Sequence, residues 1–126
     1  MKLLLDTHVL LWWLEDSPKL TQEARDLIAN PENTVFVSAA TMWEIRIKQK
    51  IGKLDAPNDL LATVKAEEFD WIPISPEHAE ATLQLPMLHR DPFDRMLVAQ
   101  AKWMGLTFLT ADPRLHGYGA FVRLCV

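Results

Sequence analysis

Short apolar runs alternate along this chain with stretches whose apolar residues recur three or four apart, and that alternation constrains the fold more than any other feature. The runs near 2 to 5, 34 to 38, 71 to 74, 107 to 110 and 121 to 125 are predicted strands. Between them, 7 to 15, 20 to 30, 40 to 50, 58 to 68, 76 to 85 and 92 to 104 are predicted helices, with Gly105 as a helix stop. Repeated strand-helix units build a mostly parallel sheet, here of four or five strands. With no internal repeat or low-complexity linker, and a length that suits one buried core, residues 1 to 126 read as a single domain.

Carboxylates stand at the joints of this pattern. Asp6 ends the run Lys2-Leu3-Leu4-Leu5, Glu44 closes Ser38-Ala-Ala-Thr-Met-Trp-Glu44, Asp94 lies in His89-Arg-Asp-Pro-Phe-Asp94-Arg, and Asp112 ends Phe108-Leu-Thr-Ala-Asp112. In a parallel sheet the strand ends share one edge, and ligands of open α/β sheets bind in the crevice outside the carboxyl ends. Four acids brought together there call for cations.

Each acid also has a plain structural reading. Asp6 suits either a helix cap for the segment from Thr7 or a ligand, and Asp112 before Pro113 suits a turn. Asp94, third in a helix opened by Pro92, is favoured by the helix dipole; Asp91, directly before Pro92, is the natural N-cap and would orient the site. Glu44 is the hardest to explain as structure, since Met42, Trp43, Ile45 and Ile47 crowd it, leaving ligation or a salt bridge with a nearby Arg or Lys. The hydroxyls of Thr7, Ser38 and Thr110 accompany these acids and are candidates to hydrogen-bond a ligating carboxylate, though such residues also cap helices and turns. His8 and His89 are candidate general bases, but a solvated-loop or capping role suits both better.

Hard oxygen donors without a Cys or His majority point to Mg²⁺ or Mn²⁺. Two such ions about 4 Å apart clamp a phosphodiester, one activating the attacking water and the other stabilising the leaving oxygen. The implied reaction class is phosphodiester hydrolysis.

The net charge of −4 argues against a general nucleic-acid coat. Yet Arg46, Lys48, Lys50 and Lys53 form a run without an intervening acid, which either holds a phosphate backbone beside Glu44 or is a solvated helix face. Asp6, Thr7 and His8 interrupt the one long apolar stretch, which argues against a membrane span or signal peptide, and the expected location is cytoplasmic. The lone Cys125 agrees with a reducing compartment. Trp12 and Trp13, about 100° apart on a helix, cannot both face one sheet, so an exposed interface aromatic competes with two core pockets.

The ordered blocks Leu-Asp6-Thr-His, Ser38 to Glu44, Lys48 followed by Gly52-Lys-Leu, His89-Arg-Asp-Pro-Phe-Asp94-Arg-Met-Leu-Val-Ala-Gln100-Ala, and Leu109-Thr-Ala-Asp112 resemble the PIN-domain VapC toxins of bacterial toxin-antitoxin pairs. The resemblance spans essentially the whole chain. It implies an α/β/α sandwich around a parallel sheet and an Mg²⁺- or Mn²⁺-dependent endoribonuclease, with Asp6, Glu44, Asp94 and Asp112 as the metal-binding acids. It further implies a homodimer, a VapB-type antitoxin whose C-terminal segment occupies the groove, and structured RNA such as transfer or ribosomal RNA as substrate. Asp91, Arg95 and Gln100 match the same pattern, Arg95 either supporting the site or pairing with an acid.

Other classes fare worse. A haloacid-dehalogenase-like phosphatase needs an acid two residues after Asp6, where His8 stands. A receiver-like module needs its phospho-acceptor at the third strand's end, where the chain reads Ile74-Ser75-Pro76. The remaining alternative is a PIN-like, metal-retaining interaction module without significant nuclease activity.

Overall fold

The computed structural model describes residues 1 to 125. Five parallel strands form one sheet: β1 (Lys2–Leu5), β2 (Thr34–Ser38), β3 (Asp70–Ile72), β4 (Thr107–Thr110) and β5 (Val122–Leu124), in the spatial order β3-β2-β1-β4-β5. After β1 the chain builds outward through β2 and β3, then returns to the other side of β1 for β4 and β5. The reversal puts a topological switch point between β1 and β4, where open parallel sheets place their ligands.

Helices cover both faces because the inner strands are apolar on both. Leu3 and Leu5 pack with Val9, Leu10, Val35, Val37, Ile45, Leu60 and Val64, while Leu4 faces the other way onto Leu97, Val98, Ala101, Phe108 and Leu115. The first layer comprises α1 (Thr7–Leu14), α2 (Gln22–Ala29), α3 (Ala39–Lys50) and α4 (Leu60–Ala66); the second is built from α5 (Pro76–Ala81) and α6 (Pro92–Met104). Gly105 ends α6 at φ 69°, in the left-handed region.

Several element boundaries are tighter than the periodicity predicts. Thr21 caps α2, so that helix starts at Gln22, leaving Leu20 buried ahead of it. The predicted helix 76 to 85 relaxes after Ala81 into a 3₁₀ turn over Thr82–Gln84, with Leu85 extended, as the residue before Pro86 is disposed to be. A second 3₁₀ segment, Pro113–Tyr118, follows β4 where no element was predicted; its irregular turn carries no helical repeat to detect. Trp12 and Trp13 are both half-buried against the α1 side of the core: Trp13 tilts onto Phe69, while Trp12 leans on His8, with ring centroids 6.4 and 6.0 Å apart respectively. Among the described residues no helix is long and apolar enough to cross a membrane.

Candidate metal centre

Parallel pairing sets Leu5 beside Leu109, so β1 and β4 end together and Asp6 leaves the sheet next to Thr110. The ladder continues one step beyond the strands through Asp6 N–H to Leu109 O at 3.0 Å, and Asp6 O then accepts from Leu10 N to begin α1. These two bonds fix Asp6 at the sheet edge by its backbone. Its Oδ1 accepts from Thr7 N at 2.6 Å and its Oδ2 from Thr110 Oγ1 at 2.6 Å. Asp6 is thus a helix cap, and it also lines a cleft of about 400 Å³ together with Glu44, Asp91, Asp94 and Asp112.

Glu44 reaches the same cleft from α3, which starts directly at the end of β2. Thr7 Oγ1 donates to its Oε1 at 2.7 Å, and Lys48 Nζ, one helical turn on, meets Oε2 at 2.5 Å. Asp94 stands in the first turn of α6, whose N-cap Asp91 accepts from Phe93 N at 2.8 Å and Asp94 N at 3.0 Å. Asp112 follows β4 and accepts from the Arg114 backbone and guanidinium at 2.9 to 3.2 Å. The four acids therefore come from the exits of three adjacent strands, β2, β1 and β4, and from the start of α6.

Of the four supporting candidates, Thr7 and Thr110 bond directly to acids, and Asp91 fixes the helix start that carries Asp94. Ser38 does something else. Its buried hydroxyl accepts from Ala40 N at 3.0 Å as the N-cap of α3, and it forms no hydrogen bond with the four acids among the described residues.

Burial and like charge crowd the cluster, a strain that a bound cation would relieve. Burial, reinforced by the fields of Asp6, Asp91, Glu44 and Asp112, pushes the Asp94 carboxyl up to about 8. Asp6 is also raised, by burial first, against the opposing bonds from Thr110 and Thr7. The Arg114 hydrogen bond holds Asp112 below the ordinary carboxylate range. Burial would lower the Lys48 ammonium, but its contact with Glu44 and the fields of Asp91 and Asp94 outweigh that and raise it. A hard, oxygen-rich donor set in which one carboxyl cannot readily ionise alone fits a divalent cation.

His89 lies in an otherwise exposed loop, but its side chain turns inward. Its side chain is only 10% exposed, with Nε2 2.9 Å from Asp94 Oδ2 and 3.5 Å from Asp112 Oδ2. Neither approach lies along a hydrogen-bonding direction, so buried Nε2 has no aligned partner. Nδ1 accepts from Arg90 N at 3.0 Å, which leaves the ring proton of the neutral form on Nε2, facing the acids. One donor atom each from His89, Asp94 and Asp112 lies within 4.8 Å of the others. In the sequence His89 precedes Asp94 by five residues, a spacing without helical meaning across the Asp91 cap.

Arg95 pairs with no acid among the described residues. Instead its guanidinium donates to the carbonyls of Thr82, Leu85, Pro86 and His89 and to Tyr118 Oη, at 2.9 to 3.3 Å. Tyr118 Oη in turn accepts from His89 N at 3.0 Å, so this hub sets the loop that delivers His89. Gln100 is fully buried away from the cleft, its amide against His78 Nδ1 at 3.2 Å and Pro73 O at 3.4 Å. In the basic run, Arg46 is spent on Gln49 and on the carbonyls of Pro57 and Asn58. Lys48 alone of that run lines the cleft, and His8 and Arg114 line it too.

Residues 3–120 match the family model described as PIN domain. The chain is 27% identical over 118 residues to Ribonuclease VapC22 of Mycobacterium tuberculosis (strain ATCC 25618 / H37Rv), covering 91% of this chain and 90% of that protein. It is similar in fold to the crystal structure of VapBC2 from Rickettsia felis bound to a DNA fragment from their promoter, with TM-score 0.71 and 15% identity over 98% of this chain and 97% of that one. A second likeness of fold is to DNA-bound VapBC from Salmonella typhimurium, with TM-score 0.68 and 20% identity over 98% and 96% of the two chains.

Proposed function

Because this chain belongs to the PIN-domain family, we propose that it is a VapC-type toxin that cuts structured RNA, transfer or ribosomal, as a divalent-metal-dependent endoribonuclease. One observation carries the reading: Asp6, Glu44, Asp94 and Asp112 line a single cleft at the switch point of the sheet, where burial, reinforced by the neighbouring carboxylates, pushes Asp94 up to about 8. The likeness to Ribonuclease VapC22 supports the same activity.

Asp6, Glu44, Asp94 and Asp112 are the residues that hold the cation, with Mg²⁺ or Mn²⁺ the ions suited to these oxygens. Held there, such an ion supplies Lewis-acid polarisation of a phosphoryl oxygen and activation of a water for in-line attack. The protein's own part is orientation. Thr7 points one oxygen of Glu44, Thr110 and the Thr7 amide point both oxygens of Asp6, and Asp91 fixes the helix turn beneath Asp94. His89 keeps an N–H donor between Asp94 and Asp112, where it can meet an anionic oxygen of the substrate.

The toxin acts in the cytoplasm as a homodimer and is silenced by a VapB-type antitoxin that fills the acidic cleft. Total RNA incubated with the purified protein in Mg²⁺ or Mn²⁺ yields discrete fragments, and EDTA, Asp6→Asn or Asp94→Asn each abolish them. Fragments that persist in the variants assign the cleavage to another site or a contaminant. A protein that binds metal but leaves all RNA intact is instead an interaction module.

A further inference from the structure

Asp6, Glu44, Asp91 and Asp112 each accept hydrogen bonds in the cleft, but the partners differ in how firmly they are placed. Glu44 is the firmly placed half: its side chain is 4% exposed and Thr7 Oγ1 donates to its other oxygen, Oε1. Lys48 is the movable half, 34% exposed on a four-carbon stem one turn further along α3. Its ammonium sits on Oε2, an oxygen that a cation held by Glu44 would share or take. On the other rim Arg114 is tied to Asp112 through two nitrogens and its own backbone amide.

We propose that Lys48 is an exchangeable counter-ion of this cleft, competing with the divalent cation for Glu44 and, once turned away from it, contacting the phosphodiester of RNA as a positioning residue. The second half rests on the nuclease reading above; the first does not. Asp6, Glu44, Asp91, Asp94 and Asp112 all line the cleft, so a polyanion entering it meets repulsion that only a nearby cation relieves. Arg46 cannot serve, because Gln49 and the 57–58 carbonyls occupy its guanidinium. Lys48 is the α3 cation that both lines the cleft and is held there by a single side-chain contact, to Glu44. One side chain thus couples metal loading to substrate charge: the cation frees the ammonium, and the ammonium then has a phosphate to pair with.

The test uses Lys48→Met, which keeps the stem and removes the charge, and Lys48→Arg, which restores the charge. Calorimetric titration with Mn²⁺ alone reads the competition. Lys48→Met binds Mn²⁺ about fivefold more tightly than wild type, the scale of one partly exposed ion pair, and Lys48→Arg returns toward wild type. Binding of a fluorescent single-stranded oligoribonucleotide in Ca²⁺, with the probe recovered intact, reads the phosphate contact. There Lys48→Met binds more weakly and its slope of log affinity against log salt is shallower by about 0.7, the value of one phosphate on a single strand. Lys48→Met binding Mn²⁺ no more tightly than wild type overturns the competition, and an unchanged salt slope overturns the phosphate contact. If wild type binds Mn²⁺ yet neither binds nor cuts RNA, the nuclease reading fails, while the calorimetric difference still decides the first half. If wild type fails to bind Mn²⁺, both fall.

Discussion

Thr110 Oγ1, at the end of β4, donates to Asp6 Oδ2, just beyond β1, across 104 residues of sequence and 2.6 Å of space. The same oxygen accepts from Asp112 N at 3.1 Å, so one hydroxyl ties two of the four acids to the sheet edge. Thr110→Val keeps the shape and leaves both groups short of a partner. The expected loss is about 1–3 kcal/mol at pH 8, read by urea unfolding, with Thr110→Ser recovering most of it. Equal stability of the Val and Ser variants would show the hydroxyl to be idle.

Asp94 makes the metal-free protein pH-sensitive in an unusual direction. A carboxyl raised from 3.8 to about 8 binds its proton in the folded state and releases it on unfolding between those pH values, so this group's contribution to stability is greatest at or below about pH 4 and declines as pH rises toward 8. Asp94→Asn removes that contribution. In EDTA, the stability of wild type relative to Asp94→Asn therefore falls between about pH 4 and pH 8; a difference that stays flat contradicts the raised carboxyl.

Metal reverses that penalty. A cation that binds the folded cleft and not the unfolded chain adds about 2.7 kcal/mol at a hundredfold excess over its dissociation constant. Saturating Mn²⁺ thus raises the melting temperature of wild type at pH 8, and by much less in Asp6→Asn or Asp94→Asn. Equal shifts in all three would place the ion elsewhere.

Arg95 is expected to matter to the loop before it reaches the chemistry. Arg95→Lys keeps the charge but cannot span the Thr82, Leu85, Pro86 and His89 carbonyls and Tyr118 Oη together. About 1–3 kcal/mol is lost, as for a broken, partly buried hydrogen-bond network, and amide exchange rises between residues 82 and 91. Protection that is unchanged there would mean the carbonyls find other donors.

The parallel sheet, its flanking helices and the joints that carry Asp6, Glu44, Asp94 and Asp112 were legible because period-2 and period-3.6 patterns are local properties of the chain. Caps were equally legible: Asp91 before Pro92 and Gly105 after Met104 both act where their chemistry suggested. The 3₁₀ segment Pro113–Tyr118 was not, since a tight turn leaves no repeating apolar mark. The solvated-loop or capping role that suits His89 in the sequence leaves out its inward turn onto the acids, because that burial depends on Tyr118 and Arg95, and nothing near position 89 announces partners 29 and 6 residues away.

Sequence by itself determined the strand-helix alternation, the acids at its joints and the family they resemble, because these follow from residue type and short-range spacing. Tertiary structure alone decided the strand order that sets β4 beside β1, and with it which hydroxyl grips which acid. It also decided that Lys48 rests on Glu44, Arg114 on Asp112, and His89 between Asp94 and Asp112. The physical reason is reach: an ion pair or hydrogen bond exists only within a few ångströms, and distances on that scale between remote residues are set by register and packing.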